Sequence, residues 1–298
     1  MSDRYDCSDP EQRAAGLKAA VDAVRRGELV VLPTDTVYGI GAEAFSPAAV
    51  TSLLAAKRRG RDMPPPVLVG TVRAATALVE ELSEAGKDFI EEFWPGGLTL
   101  VCRARRTLSW DLGDTRGTVA IRMPLHPVAL DLLKETGPLA VSSANVSGLP
   151  AATTVDEAMD QLGDMVTVFL DGGPATGGVP STIVDLTGPV PRLLRAGAIP
   201  VDELDAVFPV AAGPRPGEDA DADAEAPEPS GAAATAEAAE APGIPEPPEN
   251  AEVSDAFPMA PGTSTAPGPP DVSGNGSAAG HGGIPGEGGA PTERREPQ

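Results

Sequence analysis

Four cations stand within five residues at Lys57-Arg58-Arg59-Gly60-Arg61, directly behind a stretch that reads as a helix. Cations at a helix C-terminus offset its macrodipole by about 0.3–1 kcal/mol each. That accounts for one or two of them; four so close repel one another unless an anion sits among them. The run therefore reads either as a phosphate site or as a solvated basic face. No Walker-type glycine loop occurs, so side chains and other loops would have to hold any nucleotide. Arg122 lies in the apolar run Thr118-Val119-Ala120-Ile121-Arg122-Met123. Its donors need either a core carboxylate in a structural ion pair or a substrate carboxylate in a bidentate fork. Ser142-Ser143-Ala144-Asn145 and Pro180-Ser181-Thr182 are serine-rich turns, a pattern that alone signals backbone capping more than ligand binding. His126, before a proline at a helix start, reads as structural, and nothing around it supports Ser-His-Asp chemistry. Phe93 and Trp94 read as core rather than as a stacking platform.

These residues need a scaffold, and the chain supplies one. Asp9-Pro10 and Ser46-Pro47 are cap-plus-proline helix starts. Helical spacing follows each, to about Gly27 and Lys57, and predicts further helices at about 71–82, 83–93, 126–135, 155–162 and 201–208. Strands are expected at 29–32, 66–70, 98–103, 118–123, 138–142, 166–170, 182–186 and 192–194. Interleaved strands and helices point to an α/β sheet covered on both faces, and the adjacent short strands late in the run make it mixed. Ligands of such sheets gather beyond strand ends, where Thr34–Thr36 and Ser142–Asn145 fall.

Composition divides the 298 residues in two. Residues 1–212 carry 19 basic and 28 acidic side chains, a net −9; residues 213–298 carry 3 and 16, a net −13 of the total −22. The second part is Ala-, Pro-, Gly-, Ser- and Glu-rich, with Phe257 as its one Phe, Tyr or Trp. It cannot bury enough apolar surface to offset an ordering cost of about 1–2 kcal/mol per residue, and is expected to be a disordered acidic tail. Its charge argues against avid non-specific nucleic-acid binding. Two cysteines, Cys7 and Cys102, make no disulfide framework or zinc motif. The polar N-terminus and the lack of long apolar runs give a cytosolic protein, with no membrane segment, as the simple reading.

Taken together, the motifs resemble one family. Pro33-Thr34-Asp35-Thr36-Val37-Tyr38-Gly39-Ile40-Gly41 is similar to the PT(D/E)TVYGLG signature of the YrdC-like threonylcarbamoyl-AMP synthases. Lys57-Arg58-Arg59 matches the K-x-R element of that family. Trp94-Pro95-Gly96-Gly97-Leu98-Thr99, Val119-Ala120-Ile121-Arg122-Met123-Pro124, Ser143-Ala144-Asn145-Val146-Ser147-Gly148, Pro180-Ser181-Thr182-Ile183-Val184-Asp185 and Leu194-Arg195-Ala196-Gly197 match in order. Met63 and Leu68 stand where many members have Asn and His. Longer members carry a second globular domain; residues 213–298 lack the apolar content for one, so the chain resembles the single-domain type.

The resemblance implies a three-layer α/β domain over residues 1–212, with a twisted mixed sheet and a large groove. It implies synthesis of threonylcarbamoyl-AMP and pyrophosphate from ATP, L-threonine and bicarbonate, with Mg2+ accompanying ATP. The product would feed modification of the adenosine beside the tRNA anticodon through a separate transferase complex. Lys57 and Arg59 would act on the ATP phosphates, and Thr118, Ser143, Asn145, Thr153 and Arg195 would help hold the nucleotide. Thr36, Arg122 and Ser181 would hold threonine, with Arg122 on its carboxylate. A non-catalytic module binding double-stranded RNA or tRNA on the same fold is the alternative. The related domain of hydrogenase-maturation carbamoyltransferases comes in much longer chains with zinc-finger and acylphosphatase segments, which are not found here.

Overall fold

The computed structural model describes residues 2–213, so the expected disordered tail lies, but for Gly213, outside the described residues. In chain order the elements are β1 (Asp3–Asp6), α1 (Pro10–Arg25), β2 (Val30–Leu32), β3 (Gly39–Glu43), α2 (Pro47–Ala56), β4 (Val67–Leu68), α3 (Val72–Leu78), α4 (Glu84–Phe93), β5 (Leu98–Arg103), β6 (Thr118–Arg122), α5 (Pro127–Thr136), β7 (Leu139–Ser143), α6 (Val155–Leu162), β8 (Val168–Asp171), β9 (Thr182–Asp185), β10 (Arg192–Arg195) and α7 (Val201–Val207). The anticipated caps are in place. Asp9 accepts from the N–H of Gln12 at 2.8 Å, Ser46 from Ala49 at 3.3 Å, and Thr154 and Glu157 close a capping box on α6.

The strands form one mixed sheet in the order β1-β8-β2-β3-β7-β4-β6-β5-β9-β10. Two apolar cores flank it. The smaller, under α1 and α5, takes Val30 and Leu32 of β2, Leu139 and Val141 of β7, Val168 and Leu170 of β8, and Leu68 of β4. The larger, under α2, α3, α4, α6 and α7, takes alternate residues: Val31, Ile40, Val67, Leu98, Leu100, Val119, Ile121 and Val184. The smaller core draws no residue from β6, β5, β9 or β10. With Val119 and Ile121 turned into the larger core, Thr118, Ala120 and Arg122 face the other way, onto a stretch of sheet that this core leaves open. Leu100 pairs with Ile121 and Thr99 with Ile183, so one step of register brings Thr99 beside Arg122. Arg195 pairs with Ile183, and the row continues to β10. This row runs across β6, β5, β9 and β10 on the face that the smaller core does not reach.

Candidate functional site

The K-x-R element is a helix ending. Lys57 is the C-cap of α2, Arg58 takes a left-handed φ of 53°, and Arg59 follows. The N–H of Arg58 donates to the Ala55 carbonyl at 3.0 Å and that of Arg59 to the Leu54 carbonyl at 2.9 Å, the Schellman pattern. Lys57 is 1% exposed. Its ammonium donates to the carbonyls of Ser143 (2.7 Å) and Asn145 (2.9 Å) and to Asn145 Oδ1 (3.0 Å), with Ser143 Oγ at 3.4 Å. Asn145 Nδ2 donates in turn to the carbonyls of Val146 and Leu149, which fixes its amide. Arg59 Nη1 reaches Ser142 Oγ at 3.4 Å, while its Nε is buried with no partner among the described residues. Lys57, Arg59, Ser143 and Asn145, drawn from two distant parts of the chain, thus form one cationic group.

A second group surrounds Arg122. Within the loop after β2, Thr34 Oγ1 donates to the Val37 carbonyl at 2.6 Å and accepts from the Thr36 N–H at 3.2 Å, which sets the turn. Arg122, 6% exposed, donates from Nε to the Gly96 carbonyl (2.8 Å), from Nη1 to Thr36 Oγ1 (2.9 Å) and from Nη2 to Asp35 Oδ1 (2.7 Å). The structural ion pair weighed for Arg122 therefore exists, with Asp35 as the carboxylate. Burial pulls the Arg122 guanidinium below its usual value, and Asp35 works against that. Ser181, just before β9, lies with its Oγ 2.8 Å from Thr99 Oγ1. Arg195 donates to the Ser181 carbonyl (2.8 and 3.1 Å) and to Ser181 Oγ (3.1 Å). Gly97 lets these parts close up: a Cβ there would stand 2.8 Å from Ala198 Cβ and 3.6 Å from Thr36 Cγ2.

The two groups adjoin through the segment 33–39. Its Tyr38 carbonyl accepts from the Ala144 N–H at 2.7 Å, between the Ser143 and Asn145 that hold Lys57. The segment and the K-x-R pair thus share neighbours and do not point into separate regions. Thr118 and Thr153 stand outside both groups. Thr118 is at the far end of β6 from Arg122, its hydroxyl on the Thr115 carbonyl at 2.8 Å. Thr153 donates its N–H and hydroxyl to Glu157 at the start of α6. Leu68 is buried in the smaller core, paired with Arg122 in register. From sequence, Asp35 and Ser142 fall inside the strand-end segments Thr34–Thr36 and Ser142–Asn145 without a role of their own, and Thr99 has none. Of these only Asp35 carried a usable signal, as a lone acid in a loop bordered by buried strands. Among the described residues no group of three His, Cys, Asp or Glu could hold a metal, and no helix is long and apolar enough to cross a membrane.

Known proteins resemble this chain in sequence and fold. The Sua5_yciO_yrdC family model, described as "Telomere recombination", matches residues 22–197, more than half of the chain. A protein of Mycobacterium tuberculosis (strain ATCC 25618 / H37Rv), provisionally named a threonylcarbamoyl-AMP synthase, is 53% identical over 212 residues, which is 71% of this chain and 98% of the relative. The threonylcarbamoyl-AMP synthase of Bacillus subtilis (strain 168) is 36% identical over 210 residues, 70% of this chain and 59% of that enzyme. The chain thus spans under two thirds of the longer Bacillus relative. A crystal structure of P. abyssi Sua5 complexed with L-threonine superposes with a TM-score of 0.67 at 32% identity, covering 72% of this chain and 63% of that one.

Proposed function

The chain belongs to the Sua5/YciO/YrdC family, and on that premise we propose that it joins ATP, L-threonine and bicarbonate into threonylcarbamoyl-AMP, releasing pyrophosphate. The carrying observation is the junction of the two groups: a cationic cluster at Lys57 and Arg59 meets a guanidinium fork at Arg122 across one short segment. The synthase names of the relatives support this reading over the RNA-binding module. The product would pass to a transferase that modifies tRNA.

Threonine's amine adds to bicarbonate to give a carbamate, whose oxygen attacks the α-phosphorus of ATP. Such chemistry asks for positioning and fixed positive charge more than for a protein nucleophile. Arg59 and Arg195 meet the phosphates, and Lys57 lends its charge through the Ser143–Asn145 loop that it fixes. Ser143 and Asn145 border the nucleotide beside Lys57, while Thr118 and Thr153, outside both groups, would meet only its more distant part. Arg122 commits three of its N–H groups to the protein, and a guanidinium carries about five donors, so two are left for a carboxylate flanked by Thr36 and Ser181. The donor set is cationic, and among the described residues no group of three His, Cys, Asp or Glu stands there, which fits a magnesium ion carried in by the phosphates rather than caged by protein. That ion would neutralise part of the triphosphate charge.

The test is pyrophosphate release with ATP, threonine and bicarbonate, omitting each in turn. Release that needs all three supports the reading; release indifferent to threonine overturns it. Arg122→Lys keeps the charge but loses the fork, and should raise the KM for threonine by about 10- to 100-fold with the KM for ATP little changed. An unchanged threonine KM would remove the carboxylate role.

A further inference from the structure

Both hydrogen bonds to the Asp35 carboxylate fall on one oxygen. Oδ1 accepts from Arg122 Nη2 at 2.7 Å and from the Leu125 N–H at 2.8 Å. Oδ2 accepts from nothing among the described residues, although the side chain is only 15% exposed. Oδ2 is not among the buried polar atoms, so it faces a space that water or a ligand can reach. The unsatisfied oxygen lies beside the Arg122 fork. A guanidinium and a carboxylate side by side match the two ends of an amino-acid zwitterion, whose carboxylate and amine are held apart by a single carbon.

We propose that Asp35 is a further catalytic residue: its Oδ2 holds the α-amino group of the bound amino acid and takes the proton that this nitrogen sheds on carboxylation. The assignment rests on the proposed function. The zwitterion's ammonium first gives one proton through Asp35 Oδ2 to water; the freed lone pair then forms a C–N bond to the bicarbonate carbon, and the nitrogen, again bonded to four groups, becomes strongly acidic. Its proton passes through Asp35 to the departing hydroxyl as the C–OH bond breaks. Water leaves, the carbamate remains, and Asp35 returns to its starting charge. The charged or titratable groups facing Asp35 are Arg122 from β6 and His126 at the start of α5, with Arg13 of α1 acting on His126 in turn.

The experiment follows pyrophosphate release from about pH 6.5 to 9.5 for the wild type, Asp35→Asn and Asp35→Glu, with melting curves to verify folding. Asp35→Asn keeps an oxygen for Arg122 and Leu125 but cannot take a proton. Its kcat should fall about 100-fold near neutrality, and the deficit should shrink as pH rises and the amine deprotonates unaided. Asp35→Glu should stay within about 10-fold of the wild type and keep its pH profile. A deficit equal at every pH, or one confined to the threonine KM, means that Asp35 only props Arg122 and overturns the proposal. If Asp35→Asn fails to fold, the Asp35→Glu profile decides: a wild-type shape supports the proposal and a lost shape overturns it. A wild type that releases no pyrophosphate from the three substrates together overturns the proposed function itself, and this assignment with it.

Discussion

Arg122 is charged, 6% exposed and buried on a strand, and it persists there because each arm of its fork finds an acceptor from a different part of the chain. Removing any one acceptor would strand a buried donor, at roughly 1–3 kcal/mol. His126 is the contrasting case. Its ring packs against Gly172, its Nδ1 is buried without a partner among the described residues, and burial holds its pKa below the usual value, with Asp35 opposing and Arg13 adding to the shift. The unfolded chain, at about 6.5, therefore takes up the proton first as pH falls. Stability should be whole above about pH 6.5 and decline below it, and His126→Gln should flatten that acid limb in melting temperatures recorded against pH. An identical limb in the variant would assign the loss to other groups. The residue types of the site were legible as short polar strings. Their partners were not, because contacts such as Arg122 with Asp35 join segments 87 positions apart, and no local spacing encodes them.

At the level of elements, the Schellman ending of α2 explains why two cations are separated by one residue. Arg58 occupies the left-handed position where glycine is favoured, between the buried ammonium of Lys57 and the Arg59 that reaches Ser142. An L side chain in that conformation costs roughly 1 kcal/mol relative to glycine. Arg58→Gly should thus raise the melting temperature by about 2–4 °C in a domain of this size. A fall would mean that the Arg58 side chain makes stabilising contacts of its own. Capped helices were readable from sequence because cap chemistry is local. The strand β3 was not: its Gly-Ile-Gly-Ala-Glu run has no β-forming signature, yet a Cβ at Gly39 would come within 2.6 Å of Val141 Cγ1. Close approach of β7 selects glycine there, and the same glycine hides the strand. Polar β1 escaped notice as an edge strand with little apolar content, held by its register to β8. The helix α3 stops at Leu78, short of the expected residue 82, because Val79 bridges to Ala104.

For the whole molecule, the decisive asymmetry is that the smaller core takes residues from β2, β4, β7 and β8 but none from β5, β6, β9 or β10. Every residue assigned to the site lies before residue 196, and the mycobacterial relative is matched over 98% of its own length by 212 residues of this chain. Deleting residues 214–298 should therefore leave pyrophosphate release within about twofold of the full chain, since every group assigned to the site belongs to residues 34–195. A large loss would place part of the deleted segment among the groups that act on substrate. A mixed sheet could be read from the interleaving of strands and helices, but its order could not, because pairing is settled by contacts across the whole chain.

That order has a consequence for how the protein comes into being. The strand β8 inserts between β1 and β2, parallel to both. During synthesis the first two strands leave the ribosome early, with a gap between them that only residues 168–171 can fill. Until then the amides and carbonyls on their facing edges stay exposed to water and to other nascent chains, so completion of this edge is a late, long-range event.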